Sequence, residues 1–420
     1  MSKIMKALPM GELMRRISGE WAARGSAFDI PAALTRRVLA LEADSPGFTV
    51  NGLRIGLPVG PAAGPHTQIA PNLVAAWLAG SRVFELKTVQ ENDRLDIEKP
   101  CIDALDEGHN VEWSTELSLD EARAEYLNAW IAIHILGAAL SEKPGALMFN
   151  MSVGYTLEGI KGPRMNAFID GMRAPAGTAP WETALQEGRA AVADAAFARA
   201  FGADGTARAR QALATLSAAP IHSATISTMH GCPAADIERI GAYLIEEKGF
   251  DTYVKLNPTL LGYDAVRDIL DTTGWQRIHL TRPTFEHDLQ FPAALDLIAS
   301  LTAKAASAGR RFGVKLSNTL ANVNDGGRLP GGERYMSGRA LFPITARLSA
   351  KLAAALKAPP AFSYCGGVSA HNVFDGLAAG LGPLTTATEI LKPGGYLRLE
   401  PMAREAVRSL KRAYPPRRTP

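Results

Sequence analysis

Six segments of the chain set small or polar residues where a short apolar run gives out. The first is Pro58-Val59-Gly60-Pro61-Ala62-Ala63-Gly64-Pro65-His66-Thr67. Side chains this small let a flat ring lie against the main chain, or simply form a tight proline turn. The second ends on Lys87-Thr88 and the third on Lys255-Leu256-Asn257-Pro258. A lysine at a strand end inside a fold is costly to desolvate unless it meets an anion or an inward carboxylate. The fourth, Lys315-Leu316-Ser317-Asn318-Thr319, finishes in amide and hydroxyl groups that suit the polar edge of a planar substrate. An internal salt bridge is a stronger expectation for Lys315 than for Lys87 or Lys255. The last two segments carry Gly366-Gly367 and Thr386-Ala387-Thr388, and Ser337-Gly338 makes a further small turn upstream. Glycine and small residues after the last two strands of a barrel suit backbone capture of a phosphate, or two ordinary βα turns.

The elements that must position these groups follow an alternating pattern. Short β-rich runs are separated by alanine-rich helical stretches, the signature of βα units and a parallel sheet. Strands are expected over 54–62, 83–89, 146–153, 223–228, 252–256, 277–281, 312–316, 361–365 and 384–388. That is one more than a (β/α)₈ TIM barrel needs, and 277–281 reads as the surplus, part of an insertion. The fold expected is one TIM-barrel domain over residues 1–420 with helical insertions. A standard barrel takes about 250 residues. The excess falls in an N-terminal arm over 1–50, the 90–118 loop, a helical insertion over 156–218 and the 259–309 region. The insertion is expected to break at 174–180 and 202–205. Leu13, Met14 and Ile17 share one face of an amphipathic N-terminal helix expected to cover the barrel floor, the rival reading being a weak membrane or partner anchor. Ser118 and Glu121 form a capping-box signature, behind which His134 shares the packed face as a core histidine. The 90–113 loop, with Cys101, Glu112 and Trp113, is expected to lid the mouth. The PPRRTP tail reads as a solvated end.

Several runs resemble known flavoproteins: PVGPAAGPHTQ, ELKTVQ, EKPCIDA, NMSVGY, STMHGCP, VKLNPTLLGY, LPGGERYMSGRALFP and LKPGGYLRL. The chain is similar over nearly its whole length to the N-terminal barrel of the selenate reductase flavoprotein subunit family. It resembles more patchily the FMN barrel of dihydroorotate dehydrogenases and dihydropyrimidine dehydrogenase. The resemblance implies an FMN-dependent oxidoreductase that exchanges hydride with a planar unsaturated or heterocyclic small molecule, acting on CH–CH or related groups. Ala63, Gly64, Lys87 and Thr88 would then lie along the flavin, with Lys255 near its reducible end. Gly338, Gly366, Gly367, Ala387 and Thr388 fall where the relatives hold the FMN phosphate and ribityl chain, and Asn318 and Thr319 where they hold the substrate. The relatives' acid/base loop reads here Thr225-Ile226-Ser227-Thr228-Met229-His230-Gly231-Cys232-Pro233. Aligned on His-Gly, Thr228 takes the acid/base place; aligned on Cys-Pro, Cys232 does, and His230 is a third proton donor. The substrate asparagine becomes Thr225 or Met229. The closer family continues into iron–sulfur and FAD modules, so the resemblance implies a separate electron-transfer subunit as partner, a soluble donor that reaches FMN directly, or a stand-alone barrel without a redox circuit.

Composition limits the alternatives. A net charge of +3 over 420 residues gives no basic stripe for nucleic acid. No apolar run is long enough for a membrane span. Three scattered cysteines and no CxxC pair fit a reducing cytoplasm without disulfides, clusters or zinc. His66, His230, His287 and His371 are not at metal-ligand spacing, and Glu286-His287-Asp288 reads as a solvated turn or helix cap. Two rival functions share the glycine site: a flavin-free barrel lyase or isomerase for a phosphorylated substrate, and a non-catalytic or electron-bridging subunit.

Overall fold

The computed structural model describes residues 5–92, 97–105, 107–111, 116–154, 156–227 and 230–414. Eight strands form one all-parallel sheet: β1 (Val59–Pro61), β2 (Val83–Glu85), β3 (Met148–Val153), β4 (Ile221–Ser227), β5 (Asp251–Leu256), β6 (Phe312–Leu316), β7 (Ala361–Cys365) and β8 (Leu384–Thr386). Each pairs with its sequence neighbour from β2 to β8, and β8 pairs back onto β1. The β1–β2 seam is narrower than a ladder. The Arg82 N–H donates to the Val59 carbonyl at 3.1 Å, and a Cβ at Gly60 would fall 1.6 Å from the Val83 carbonyl oxygen. Glycine at 60 is therefore what lets the cylinder draw shut.

The eight core strands match the expected runs, and residues 277–281 form no strand. Ile278 is instead buried in a side cluster with Val266 and Leu270, which accounts for the apolar pattern of that segment. The insertion is helical, with helices Leu157–Lys161, Pro163–Arg173, Ala179–Ala193 and Ala195–Thr215. Its expected breaks are present at 174–178 and at Gly202, where φ is 75°. Asp194 adds a third break, its carboxylate accepting from the Ala196 N–H at 2.7 Å. The N-terminal helix Met10–Arg24 buries Leu13, Met14 and Ile17 as its pattern requires, but against the insertion helices rather than the barrel floor. The floor is closed by the hairpin Phe48–Val50 and Leu53–Ile55, whose Val50 and Ile55 pack on Val83 and Met148. Ser118 and Glu121 make the capping box of helix Leu119–Leu140, and His134 Nδ1 donates locally to the Trp130 carbonyl at 2.8 Å. Burial holds that imidazole below its ordinary pKa. No helix among the described residues is long and apolar enough to cross a membrane.

Strand register decides what fills the upper barrel. Ser227, Lys255, Lys315 and Ser363 lie side by side on β4 to β7. Two lysines thus enter one low-dielectric space. Lys315 Nζ is neutralised by Glu85 Oε1 at 3.0 Å and also donates to Ser363 Oγ and Thr385 Oγ1 at 3.2 and 3.0 Å. Glu85 Oε2 accepts from Asn150, which reaches Thr225 and Ser223. Burial alone would lower the Lys315 pKa, but Glu85 outweighs it and holds the ammonium above its ordinary value. Removing one partner of such a pair strands the other charge. Lys315→Met is expected to lose about 3–5 kcal/mol of stability, and Lys315→Met with Glu85→Gln to recover part of that. Chemical denaturation of the two variants checks it, and a Lys315→Met protein as stable as its parent would refute the role.

Candidate active site

Above the C-terminal strand ends lies a cavity of about 520 Å³, within the range of small-molecule sites. It is roofed by a four-stranded antiparallel sheet made from Leu320–Val323, Glu333–Met336, His109–Asn110 and Ile102–Asp103. The segment carrying His109 and Asn110 is fastened by Glu107, a fully buried carboxylate that pairs with Arg277 and, at 3.4 Å, with Arg339. Both guanidinium groups lie over the Trp275 ring. The expected lid loop therefore contributes Gln90, Asn110 and Val111 to the cavity wall. Cys101 lies outside that wall, and Glu112 and Trp113 lie outside the described residues.

One side of the cavity is built from small groups. Ala62, Ala63, Gly154, Gly366 and Ala387 line it, and a Cβ on Gly154 would sit 2.9 Å from the Ser227 carbonyl oxygen. Gly366 and Gly367 have φ of 116° and 67°, values that favour glycine. Gly338 is packed so closely that a Cβ would meet the Glu107 carbonyl oxygen at 1.2 Å. The main-chain N–H groups of Gly338, Gly366, Ala387 and Thr388 donate to nothing among the described residues. Ser337 Oγ and Thr388 Oγ1 meet at 2.8 Å beside them. This is a set of donors suited to an anion.

The opposite chemistry comes from cations. Lys255 lines the cavity, and its ammonium makes no hydrogen bond or ion pair among the described residues. Burial lowers its pKa, Cys365 and Glu85 oppose the fall, and Lys315 adds to it. Lys87 and Thr88 also face the cavity. His66 is buried beside them and bonds the Ala62 carbonyl through Nε2 at 2.8 Å. Burial drives that imidazole down to about 4, with Lys87 adding to the effect, so it is neutral near pH 7.

A third group gathers around Asp288, which is 4 % exposed. Its carboxylate accepts from His230 Nδ1 at 2.8 Å, Thr259 Oγ1 at 2.7 Å, the Gly231 N–H at 2.8 Å and Asn257 Nδ2 at 3.1 Å. Burial would raise its pKa, but His230, Thr259 and Gly231 together hold it below the usual carboxylate range. Asn257 Oδ1 in turn accepts from Asn318 Nδ2 at 3.0 Å. His230 lines the cavity and stacks on Tyr335 at 5.4 Å.

With this geometry in view, the likeness to known proteins is informative. Residues 34–416 match the family described as "Oxidoreductase YgfK, N-terminal TIM-barrel domain". The chain belongs to that family. The proteins named "Putative oxidoreductase YgfK" from Escherichia coli strain K12 and from Escherichia coli O157:H7 are each 46% identical to it over 408 residues. The match covers 96% of this chain and 39% of those relatives, so the chain spans about two-fifths of their length. A solved structure titled ligand-free type DHODH, from Eimeria tenella, aligns over 96% of this chain and 94% of its own. At 13% identity and a TM-score of 0.42, that likeness is too loose to bear on function. Membership in the YgfK family makes the chain a TIM-barrel domain of the kind that stands at the N-terminus of those longer proteins.

Of the residues singled out in the sequence, Ala63, Lys87, Thr88, His230, Lys255, Asn318, Thr319, Gly366 and Ala387 line one cavity. Gly64, Gly338, Gly367 and Thr388 lie behind that wall. The Gly64 N–H bonds Thr67 Oγ1 at 3.2 Å, and the Gly367 N–H bonds the Ser337 carbonyl at 3.4 Å. Cys232 packs against the main core instead, with burial and then Asp236 raising its thiol pKa. Thr228 and Met229 lie outside the described residues. Sequence reasoning missed Asp288, Asn257, Tyr335 and Cys365. Asp288 is no solvated cap, because the fold brings it onto Gly231 and His230, 57 and 58 positions earlier in the chain. Among the described residues no cluster suits a metal ion.

The tight contact at Gly338 generates a test. Gly338→Ala must push the Glu107 strap outward, so limited chymotrypsin digestion is expected to cut after the exposed Leu105 faster than in the parent. Equal cleavage rates would show that the strap does not rest on this glycine.

Proposed function

We propose that this domain is an FMN-dependent oxidoreductase, and the unpaired Lys255 ammonium on the cavity wall is the observation that carries the proposal. A buried cation without a counter-ion is costly. A cavity of this size, with small residues on one wall and free N–H donors at its edge, fits a flat ring that ends in a phosphate. FMN, when bound, supplies the two-electron chemistry. The protein's part is to hold and polarise. Gly338, Gly366, Ala387 and Thr388 would bind the phosphate and ribityl chain through main-chain donors, with Gly367, whose N–H is bonded to the Ser337 carbonyl, giving the tight turn beside them. Ala63, Gly64, Lys87 and Thr88 would lie along the ring. Lys255 would balance the negative charge that a reduced flavin carries, a role that a fixed cation performs best where water is excluded.

Asn318 and Thr319 would orient a planar, conjugated small molecule by its polar edge. Asn318 suits this because Asn257 holds its amide nitrogen, leaving the oxygen to face a ligand. That chemistry fits a heterocycle or another unsaturated CH–CH substrate better than a small oxyanion. A proton donor is required on the substrate side, and Cys232, Thr228 and His230 supply the chemical types. Electrons would pass to or from an iron–sulfur or FAD carrier or a soluble donor, in a cytoplasm that keeps Cys101, Cys232 and Cys365 as thiols.

Denaturing the purified protein and identifying the released chromophore tests the cofactor. A colourless protein that takes up no added FMN would end the proposal and favour a flavin-free lyase. For Lys255→Ala, the expected outcome is flavin content near that of the parent and slower flavin reduction, by about 10²-fold for the loss of one electrostatic contact. Stopped-flow absorbance reads the rate. Equal reduction rates would remove Lys255 from the chemistry.

A further inference from the structure

We infer that His230 is the acid/base of this cavity and that Asp288 is its positioning residue, fixing the ring so that Nε2 exchanges protons with substrate. The inference rests on the oxidoreductase reading above and adds a residue assignment to it.

The argument begins with the carboxylate. Asp288 is buried and ionised, and an ionised carboxylate only accepts hydrogen bonds. At 2.8 Å from His230 Nδ1 it demands a proton there. The Asn257 amide lies farther from that nitrogen, at 3.3 Å, and already donates to the same carboxylate at 3.1 Å. Neutral His230 is therefore the Nδ1–H tautomer, and its other nitrogen carries the lone pair. His230 Nε2 is buried and bonded to nothing in the described structure, on a residue that lines the cavity. The ring cannot readily turn away: Tyr335 stacks on it with an interplanar angle of 15°. Asp288 is itself locked by Thr259 and the Gly231 N–H. A base in hydrogen-bonding reach of the substrate space, with a third group orienting it, is the arrangement proton transfer needs. Cys232 has neither feature, since it lies off the cavity wall and its thiol reaches only the Pro233 carbonyl, at 4.0 Å.

The step balances with bound FMN as the two-electron acceptor that the proposed function supplies. In the oxidising direction Nε2 takes a proton from one substrate carbon, and the electron pair of that C–H bond becomes the new double bond. The neighbouring carbon would release its hydrogen with two electrons, which FMN, when bound, would accept. Reduction reverses each transfer, with the imidazolium as acid.

His230 is faced by Asp288 at Nδ1, by Tyr335 on its ring, by Cys232 two residues along, and by Lys87 and Lys255 lining the same cavity. The test uses the whole chain labelled with ¹⁵N-histidine, with His230→Gln assigning the signals. Long-range ¹H–¹⁵N correlation of the neutral ring is expected to show the Nδ1–H tautomer. In Asp288→Asn the carboxylate that holds the Nδ1 proton is gone, so loss of the fixed tautomer is expected. An Nε2–H tautomer in the parent, or an unchanged Nδ1–H tautomer in Asp288→Asn, overturns the inference. These readings need neither flavin nor substrate. With FMN-loaded, dithionite-reduced protein and uracil and orotate as probes, His230→Gln is expected to slow reoxidation by about 10²-fold or more. A parental rate in His230→Gln, with loss in Cys232→Ser, overturns it as well. A parent that passes electrons to neither probe counts against the substrate reading and leaves the tautomer result standing.

Discussion

The site depends on an unequal treatment of two lysines. Register forces Lys255 and Lys315 into neighbouring positions at the top of the barrel, where two bare ammonium groups would repel in a medium that screens poorly. Glu85 arrives from β2, on the other side of the cylinder, and settles the matter for one of them. Lys315 becomes a structural cation, tied to three other strands through Glu85, Ser363 and Thr385. Lys255 is left over, and the cavity forms around it. Had Glu85 been an apolar residue, both lysines would need anions or would lose their protons, and the distinction between structure and function would disappear.

The same economy governs the rest of the mouth. Small residues clear one wall, a cation and amides furnish another, and a buried carboxylate aims a histidine from a third. Each functional group is held by something that does not itself face the cavity: Asn257 behind Asn318, Asp288 behind His230, Glu107 behind the roof. Preorganisation of this kind is what allows a side chain to act without moving.

Much of this was legible in the sequence for a simple reason. Barrel strands are short apolar runs ended by small or polar residues, and that signal is local, so all eight were found along with the groups at their tips. Signals that depend on a distant partner were not readable. The apolar alternation at 277–281 resembles a strand, yet Ile278 serves a side cluster. The stripe of Leu13, Met14 and Ile17 announces a buried helix face without saying what buries it, and the answer is the insertion rather than the floor. Asp288 looks like any acidic residue in a turn until folding sets it under His230. The sequence already favoured Lys315 over Lys255 for an internal ion pair, but that its partner is Glu85, on the opposite strand, only the fold shows.

The roof has a consequence for how the molecule is made. It joins His109 to Met336, and the cylinder beneath is complete only when β8 reaches β1. The cavity is therefore enclosed only once residues near 387 are in place. A nascent chain holding the first five strands offers no enclosed chamber, so a prosthetic group would be loaded only after β8 has emerged.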